Sequence, residues 1–285
     1  MRYIRYRHAD KIKLGMTTGG RVVELPPGLD FAGDMRAFIA AGSSAQDAAQ
    51  QAWRMGHTPN YLLSEIELLA PIDNPTKVIA IGLNYMDHCR EQNVSPPKHP
   101  IIFAKFPSAI VGPGATITWD PALTSQVDFE AELAVVIGRE ARHISAADAM
   151  NYVFGYTCAN DVSARDLQFG DRQWVRGKSL DSFCPLGPWI VTADEISDPH
   201  NLAIRSRVNG TVMQESNTGE MIFNIPTLIE FCSQAFTLYP GDVILTGTPH
   251  GVGVFREPQV FLQHGDEVVI EIEGIGELRN RCARA

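Results

Sequence analysis

The alternation of apolar and polar positions changes character along this chain. Up to about residue 72 it comes in short runs. MRYIRY and RVVELPPG, with a Thr-Thr-Gly-Gly turn before the second, predict a small hairpin. DMRAFIAAG and SAQDAAQQAWRMG are rich in alanine and other helix formers and each is closed by glycine, so both read as helices. ELLAPIDNPTK, with two prolines and an asparagine, reads as the linker out of a small α+β unit, 1–72, that carries no catalytic residue of its own.

From Lys77 the runs lengthen. KVIAIGLNY predicts a buried strand ending in glycine, NYMDHCREQN the start of a polar helix, PPKHP a loop and IIFAKF a further strand. In VDFEAELAVVIG, Asp128, Glu130 and Glu132 alternate before Leu133 to Ile137 run on without a polar break. Residues two apart share a face of a strand, so Glu130 and Glu132 project together from a strand that then enters a core.

ISAADAMNYVFGY predicts a helix with Ser145 as N-cap and Asp148 three residues on. CANDVSARDLQ sets Asp161 and Arg165 near a strand end or helix start, and QWVRGKSLDSFCPLGPWIVT is a Gly- and Pro-rich loop delivering a strand. RSRVNGTVMQESNTGEM contains an Asn-Gly hairpin signal, and IPTLIEFCSQAFTLYPGD a helix opened by proline. DVILTGTPHGVG and EVVIEIEGIGELRN end the chain in β structure. Residues 73–285 therefore form a larger domain, mainly β with a few helices, and the whole is α+β rather than a regular βαβ alternation.

Composition narrows the function classes. A net charge of −9 over 285 residues argues against a nucleic-acid partner, which calls for basic surface. No run approaches the roughly 18 apolar residues of a membrane span. The first residues lack the apolar stretch of a secretory signal, which makes cytoplasmic residence the expectation. Five scattered cysteines with no CxxC fit reduced, buried thiols better than disulfides or zinc.

Three groups of polar residues stand beside the apolar strands. His88 and Glu91 are three apart, so on a helix the carboxylate orients the imidazole as a general base; alone, such a pair is more often surface decoration. Glu130, Glu132 and Asp161 make an oxygen-only set suited to hard cations such as Mg²⁺ or Mn²⁺, with open positions for substrate and water. An isolated pair of alternate acids is more often a wet strand face. Arg165, Gln168, Lys178 and Thr248 lie in turn-rich segments able to present cationic and hydroxyl groups to an anion, or to form tight turns with a surface lysine. Two polar loops, QNVSPPKHP and QFGDRQWVRG, are candidates for a lid.

In order, KVIAIGLNYMDHCREQN, PIIFAKFPSAIVGPG, DFEAELAVVIG, GYTCANDVSARDLQ, QWVRGKSLDSFCPLGPWIVT and LTGTPHGVG resemble the fumarylacetoacetate hydrolase family from about Lys77 to the C-terminus. The first 70 residues resemble the small accessory domain of many bacterial members. The resemblance implies a roll of mixed β-sheets, a divalent metal, usually Mg²⁺ with Mn²⁺ able to substitute, and a homodimer. It puts the metal ligands on Glu130, Glu132 and Asp161, the catalytic pair on His88 and Glu91, and the substrate-contacting lysine on Lys178, with Arg165, Gln168 and Thr248 as further contacts. Asp128 has no counterpart among the ligands and reads as a supporting or surface acid.

The family acts on 2-oxo acids or their enols. A 2-oxo carboxylate chelates the metal, which acts as an electron sink when a bond at C3 breaks. If His88 activates water toward a carbonyl at C4, the C3–C4 bond is hydrolysed. Loss of CO₂ or movement of a proton reaches the same enolate without water. The intact His88/Glu91 pair makes hydrolysis of an acylpyruvate-type 2,4-dioxo acid the leading expectation. Oxaloacetate decarboxylase or tautomerase activity, or isomerisation of a 2-hydroxy-dienoate, is the alternative. A binding protein with a degenerate site is a third reading, disfavoured by the complete ligand set.

Overall fold

The computed structural model describes residues 1–55 and 61–285. Its spine is the Ala131–Ile137 strand, buried along its whole length. Leu133, Val135 and Ile137 share one apolar cluster with Ile204, Ile270 and Leu278. Ala134 and Val136, on the opposite face, belong to a second cluster with Phe38, Ile39 and Leu245. A strand covered on both faces needs apolar residues at every position, which is why the run after Glu132 does not alternate.

The sheet around this strand is built largely from antiparallel pairs. Val153–Asn160 and Val243–Leu245 flank it; beyond them lie Cys184–Thr192 on one side and Val78–Gly82 with Ile101–Lys105 on the other. The N-terminal strands Arg2–His8, Lys11–Thr18 and Arg21–Glu24 continue the same sheet, because Arg2 and Tyr3 pair with Val191 and Ile190. A five-stranded sheet, which includes Ala203–Val208, Thr211–Asn217, Glu267–Ile272 and Gly276–Arg284, contributes the facing side chains of the first cluster. The Asn209-Gly210 turn joins two of its strands with both residues at positive φ, as a two-residue hairpin requires.

Six α-helices are formed by the described residues: α1 Met35–Ala40, α2 Ser43–Arg54, α3 Met86–Gln92, α4 Arg165–Asp171, α5 Val175–Lys178 and α6 Ile225–Ala235. Asp34 caps α1, accepting from the Ala37 N–H at 3.1 Å, and Asn224 caps α6 from outside its proline. Gly56, expected to stop the second helix, lies outside the described residues. The segment predicted as a helix from Ile144 forms only a short 3₁₀ turn, Ala149–Tyr152. Ser145 Oγ donates to Asp148 Oδ2 at 2.7 Å, but Val153 onward is recruited by strands on both sides, and that pairing overrides the local helix signal. The stretch after Gln168, expected as loop, is largely α4 and α5.

Strands packed this closely leave no room beside Gly155, where an added Cβ would stand 2.2 Å from the Val191 carbonyl oxygen. Gly155→Ala is expected to cost about 1–3 kcal/mol as the two strands are forced apart. Urea unfolding measures it, and an unchanged midpoint would show that the pair yields freely.

Candidate active site

The antiparallel register builds the acidic cluster. Ala131 pairs with Asn160 and Asp128 with Ser163, so Glu130 and Asp161 stand opposite one another, joined by the Asp161 N–H donating to the Glu130 carbonyl at 3.0 Å. Two acids thirty residues apart in sequence thereby become neighbours. Glu132 lies two positions further along the same strand face, and ligand oxygens of all three acids lie within 4.8 Å of one another. All three side chains are buried, so the wet-face reading of the alternate acids does not hold.

Cations reach only part of this cluster. Lys178 Nζ donates to Glu130 Oε2 and Asp161 Oδ2, each at 2.8 Å. Arg165 Nη1 lies 2.7 Å from Glu130 Oε1, and Lys105 Nζ donates to Asp161 Oδ1 at 2.5 Å and also to the Lys178 carbonyl. Glu132 accepts from the Gly247 N–H at 2.7 Å and has no ion pair among the described residues. Gly247 adopts φ +100°, and an added Cβ would come within 2.8 Å of Asn84 Cβ, so only glycine brings this N–H to the carboxylate.

The electrostatics follow. Burial alone would raise the Glu130 carboxyl, but the Lys178 ammonium and the Arg165 guanidinium overcome it and hold it at about 2. Burial, and then repulsion from Asp161 and Glu130, push the Glu132 carboxyl well above the usual carboxylate range. Counting Asp128, four buried carboxylates face three buried cations. The uncompensated charge rests on Glu132, and the donors around it are carboxylate oxygens. That set fits a hard divalent cation, with Glu130, Glu132 and Asp161 as the residues that would hold it.

Beside the acids stands α3. Its Glu91 carboxylate only accepts, so His88 Nδ1 carries the proton and donates to Glu91 Oε2 at 2.8 Å. Gln92 Nε2 then donates to the free His88 Nε2 at 2.8 Å. The other Glu91 oxygen accepts from the Gly251 N–H at 2.8 Å, tying the helix to the loop that also holds Gly247 and Thr248. Asn84, just ahead of α3, grips the Phe223 and Thr246 carbonyls through its amide and fixes the helix entry.

Arg165, the first residue of α4, donates through Nε to Asp128 Oδ2 at 2.9 Å and through Nη1 to Gln168 Oε1 at 2.9 Å. Its buried Nη2 has no partner. Thr248 Oγ1 accepts from Gln214 Nε2 at 2.8 Å. His88, Glu130, Glu132, Arg165, Gln168, Lys178 and Thr248 all line one cavity of about 80 Å³. Asp161 and Glu91 lie directly behind it, bonded to Lys178 and His88. A wider groove of about 830 Å³, beside Trp189 and Arg279, includes none of these residues.

Three further residues belong to this arrangement. Asp128, read as supporting or superficial, is fully buried; it anchors Arg165 and accepts the N–H groups of Phe129, Gly253 and Val254. Lys105 balances Asp161, and its signal was the parity it shares with buried Phe103 in IIFAKF. Gln92 reaches the base only through the fold of the helix end, and no pattern marks it.

Oxygen donors around an uncompensated carboxylate, with a histidine held by a carboxylate at the rim of a small buried cavity, suit a metal-dependent enzyme acting on a small molecule. The family model described as "Fumarylacetoacetate (FAA) hydrolase C-terminal" matches residues 77–283. The chain is 49% identical over 289 residues to an oxaloacetate tautomerase of Rattus norvegicus, covering 99% of this chain and 91% of the relative. The structure of a fumarylacetoacetate hydrolase from Exiguobacterium antarcticum superposes with a TM-score of 0.86 at 37% identity, covering both chains fully. A maleylpyruvate hydrolase from Sphingobium sp. SYK-6, solved with manganese(II) and pyruvate, gives 0.82 at 30% identity, again over the whole of both. The chain belongs to the fumarylacetoacetate hydrolase family and is an enzyme of it. The expectation of a cytoplasmic protein is overturned here, since the rat relative is named as mitochondrial and its human and bovine counterparts are too. A leaderless look at the first residues was too weak a sign. No helix among the described residues is long and apolar enough to cross a membrane.

Two measurements test the site. In chelator-stripped protein, Mg²⁺ or Mn²⁺ at a hundred times its Kd should stabilise the fold by about 2.7 kcal/mol, and Glu132→Gln should remove most of that gain. No shift in thermal midpoint with millimolar metal would dismiss the cluster as a cation site. Lys105→Met strips a cation from a buried pair and should cost about 3–5 kcal/mol without metal. The loss in unfolding free energy should shrink when metal is added; an equal loss in both states would detach Lys105 from the acids' charge balance.

Proposed function

We propose that the protein interconverts the keto and enol forms of oxaloacetate or a closely similar 2-oxo dicarboxylate, with Mg²⁺ or Mn²⁺ held by Glu130, Glu132 and Asp161. The observation that carries this reading is the extent of identity to oxaloacetate tautomerases, which runs through both halves of the chain and not only the catalytic motifs. It favours the alternative over the hydrolytic expectation. The same relatives support a mitochondrial setting.

Held by Glu130, Glu132 and Asp161, a hard cation would supply Lewis-acid polarisation of the keto group of a 2-oxo carboxylate. His88 Nε2 is the group that takes the proton from C3. Glu91, accepting from Nδ1, holds the ring in the tautomer whose lone pair is at Nε2 and steadies the imidazolium that forms, and the Gln92 amide that donates to that lone pair has to turn aside for the proton to be taken. In the keto-to-enol direction one proton leaves C3 and one arrives on the 2-oxo oxygen, so no water is consumed. Arg165 Nη2 offers its unused N–H to a substrate carboxylate, while Lys178 and Gln168 present further donors at the same wall. The small cavity suits a compact substrate better than a long acylpyruvate.

The assay follows enol oxaloacetate by ultraviolet absorbance with Mg²⁺ or Mn²⁺ present. Interconversion should run well above the buffer rate, and His88→Ala should slow it about 10²–10⁴-fold while keeping the metal-induced rise in thermal midpoint. If acylpyruvates release pyruvate faster than oxaloacetate tautomerises, the hydrolytic reading replaces this one.

A further inference from the structure

Beyond the reaction itself, and resting on the reading above that the substrate is a 2-oxo acid, we propose that Trp174 limits substrate length, confining the pocket to 2-oxo acids of about four carbons.

Trp174 is the residue on which α5 begins, and its carbonyl accepts the Lys178 N–H at 3.0 Å, so indole and Lys178 ammonium are carried by one turn of chain. The indole is seated against the end of two paired strands. An added Cβ at Gly82 would lie 2.5 Å from Trp174 Cζ3 and 3.0 Å from Cη2, so the ring edge meets bare backbone there. It also meets the Phe103 ring edge-on at a centroid distance of 5.3 Å, and Phe103 lies 5.1 Å from Lys178 Nζ. Glycine at 82 and phenylalanine at 103 together give the indole a fitted seat in the cavity wall.

The space left is about 80 Å³, far below the roughly 300–1,000 Å³ of pockets that hold drug-sized ligands. The polar wall of His88, Arg165 and Lys178 is needed by the reacting carbons and carboxylates, so a longer distal group has to be accommodated along the aromatic lining of Phe103, Phe169, Trp174 and Phe255, of which Phe169 and Phe255 are exposed and Trp174 is the large ring seated against Gly82. Trp174 is only partly buried, follows the exposed turn at Arg172 and Gln173 and packs at the edge of the core, so shortening it opens the pocket without removing a central core side chain.

The test pairs turnover with binding. Trp174→Ala and Trp174→Phe are compared with the unaltered protein, using oxaloacetate and acylpyruvates of increasing chain length with Mg²⁺. Because one methylene refused by an apolar pocket is worth about tenfold or more, Trp174→Ala should raise the ratio of kcat/KM for the longest acylpyruvate to that for oxaloacetate at least about tenfold. Trp174→Phe, which keeps an aromatic wall, should stay close to the unaltered ratio. Binding is read separately, as the thermal shift given by 2-oxobutanoate and by 2-oxooctanoate. The unaltered protein should respond to the short acid only, and Trp174→Ala to both. An unaltered protein that binds both acids alike, or a folded Trp174→Ala that keeps the original ratio and response, overturns the proposal. Absence of turnover on every acid, with the length-dependent thermal shifts intact, would instead fail the reaction reading and leave the length limit standing.

Discussion

Four carboxylates buried beside three cations set the terms for the rest of this structure. Each buried acid is expensive unless it is paired, and three of the four have found partners in Arg165, Lys178 and Lys105. Glu132 has not. The imbalance is produced by backbone geometry: an antiparallel register that sets Glu130 across from Asp161 and a two-residue step that adds Glu132. Moving one strand by one residue would turn both glutamates to the other face and disperse the cluster. The apolar run from Leu133 to Ile137, buried on both sides, holds that register, because any slip would expose or mispair a fully buried strand. The core's first contribution to chemistry is therefore to keep like-charged carboxylates from relaxing away from one another.

A second constraint joins base and acids. The loop after Val243–Leu245 gives the Gly247 N–H to Glu132, the Gly251 N–H to Glu91 and the Gly253 N–H to Asp128. One loop thus touches the acid cluster, the orienting carboxylate of the base and the anchor of Arg165. Its glycines carry this role as backbone donors brought to short distance. His250 Nδ1, 2.9 Å from Asp87 Oδ2, adds a further tie between the loop and α3. A shift of this loop would disturb every polar group of the cavity together, so the site's geometry is a property of the loop's seating as much as of any single side chain.

Much of this was legible from local pattern. Alternation in DFEAEL put Glu130 and Glu132 on one face, and the three-residue spacing of His88 and Glu91 on a short helix produced the 2.8 Å contact. Asp161 could be placed near a strand end but not opposite Glu130, since register is a long-range property. Lys105 was passed over because a lysine in a short strand is ordinarily solvated, and the parity it shares with Phe103 is too slight a sign without its buried partner Asp161. The helix expected after Ser145 failed for a related reason: two neighbouring strands bid for Val153 onward, and their ladder outweighs a capping signal. In the N-terminal unit the two alternating runs expected to pair as a hairpin are separated by the strand Lys11–Thr18, which pairs with both, and nothing in them announced that Arg2 and Tyr3 would join the main sheet.

Relatives of this chain are named for hydrolysis and for tautomerisation, and at a centre like this one the two outcomes differ in who reaches His88 Nε2 and how much space surrounds it. Hydrolysis demands a water at that nitrogen and room for an acyl group; proton transfer demands neither, only a dry pocket and a base that can give back what it takes. Here the Gln92 amide occupies the lone pair that either reaction would use, and Trp174 narrows the aromatic side of an already small cavity. Both residues lie outside the set of acids, base and lysine that the family motifs mark. The proposed reading of this protein as a tautomerase therefore rests on its likeness to relatives of that name, and the two side chains bear on which substrates reach the centre.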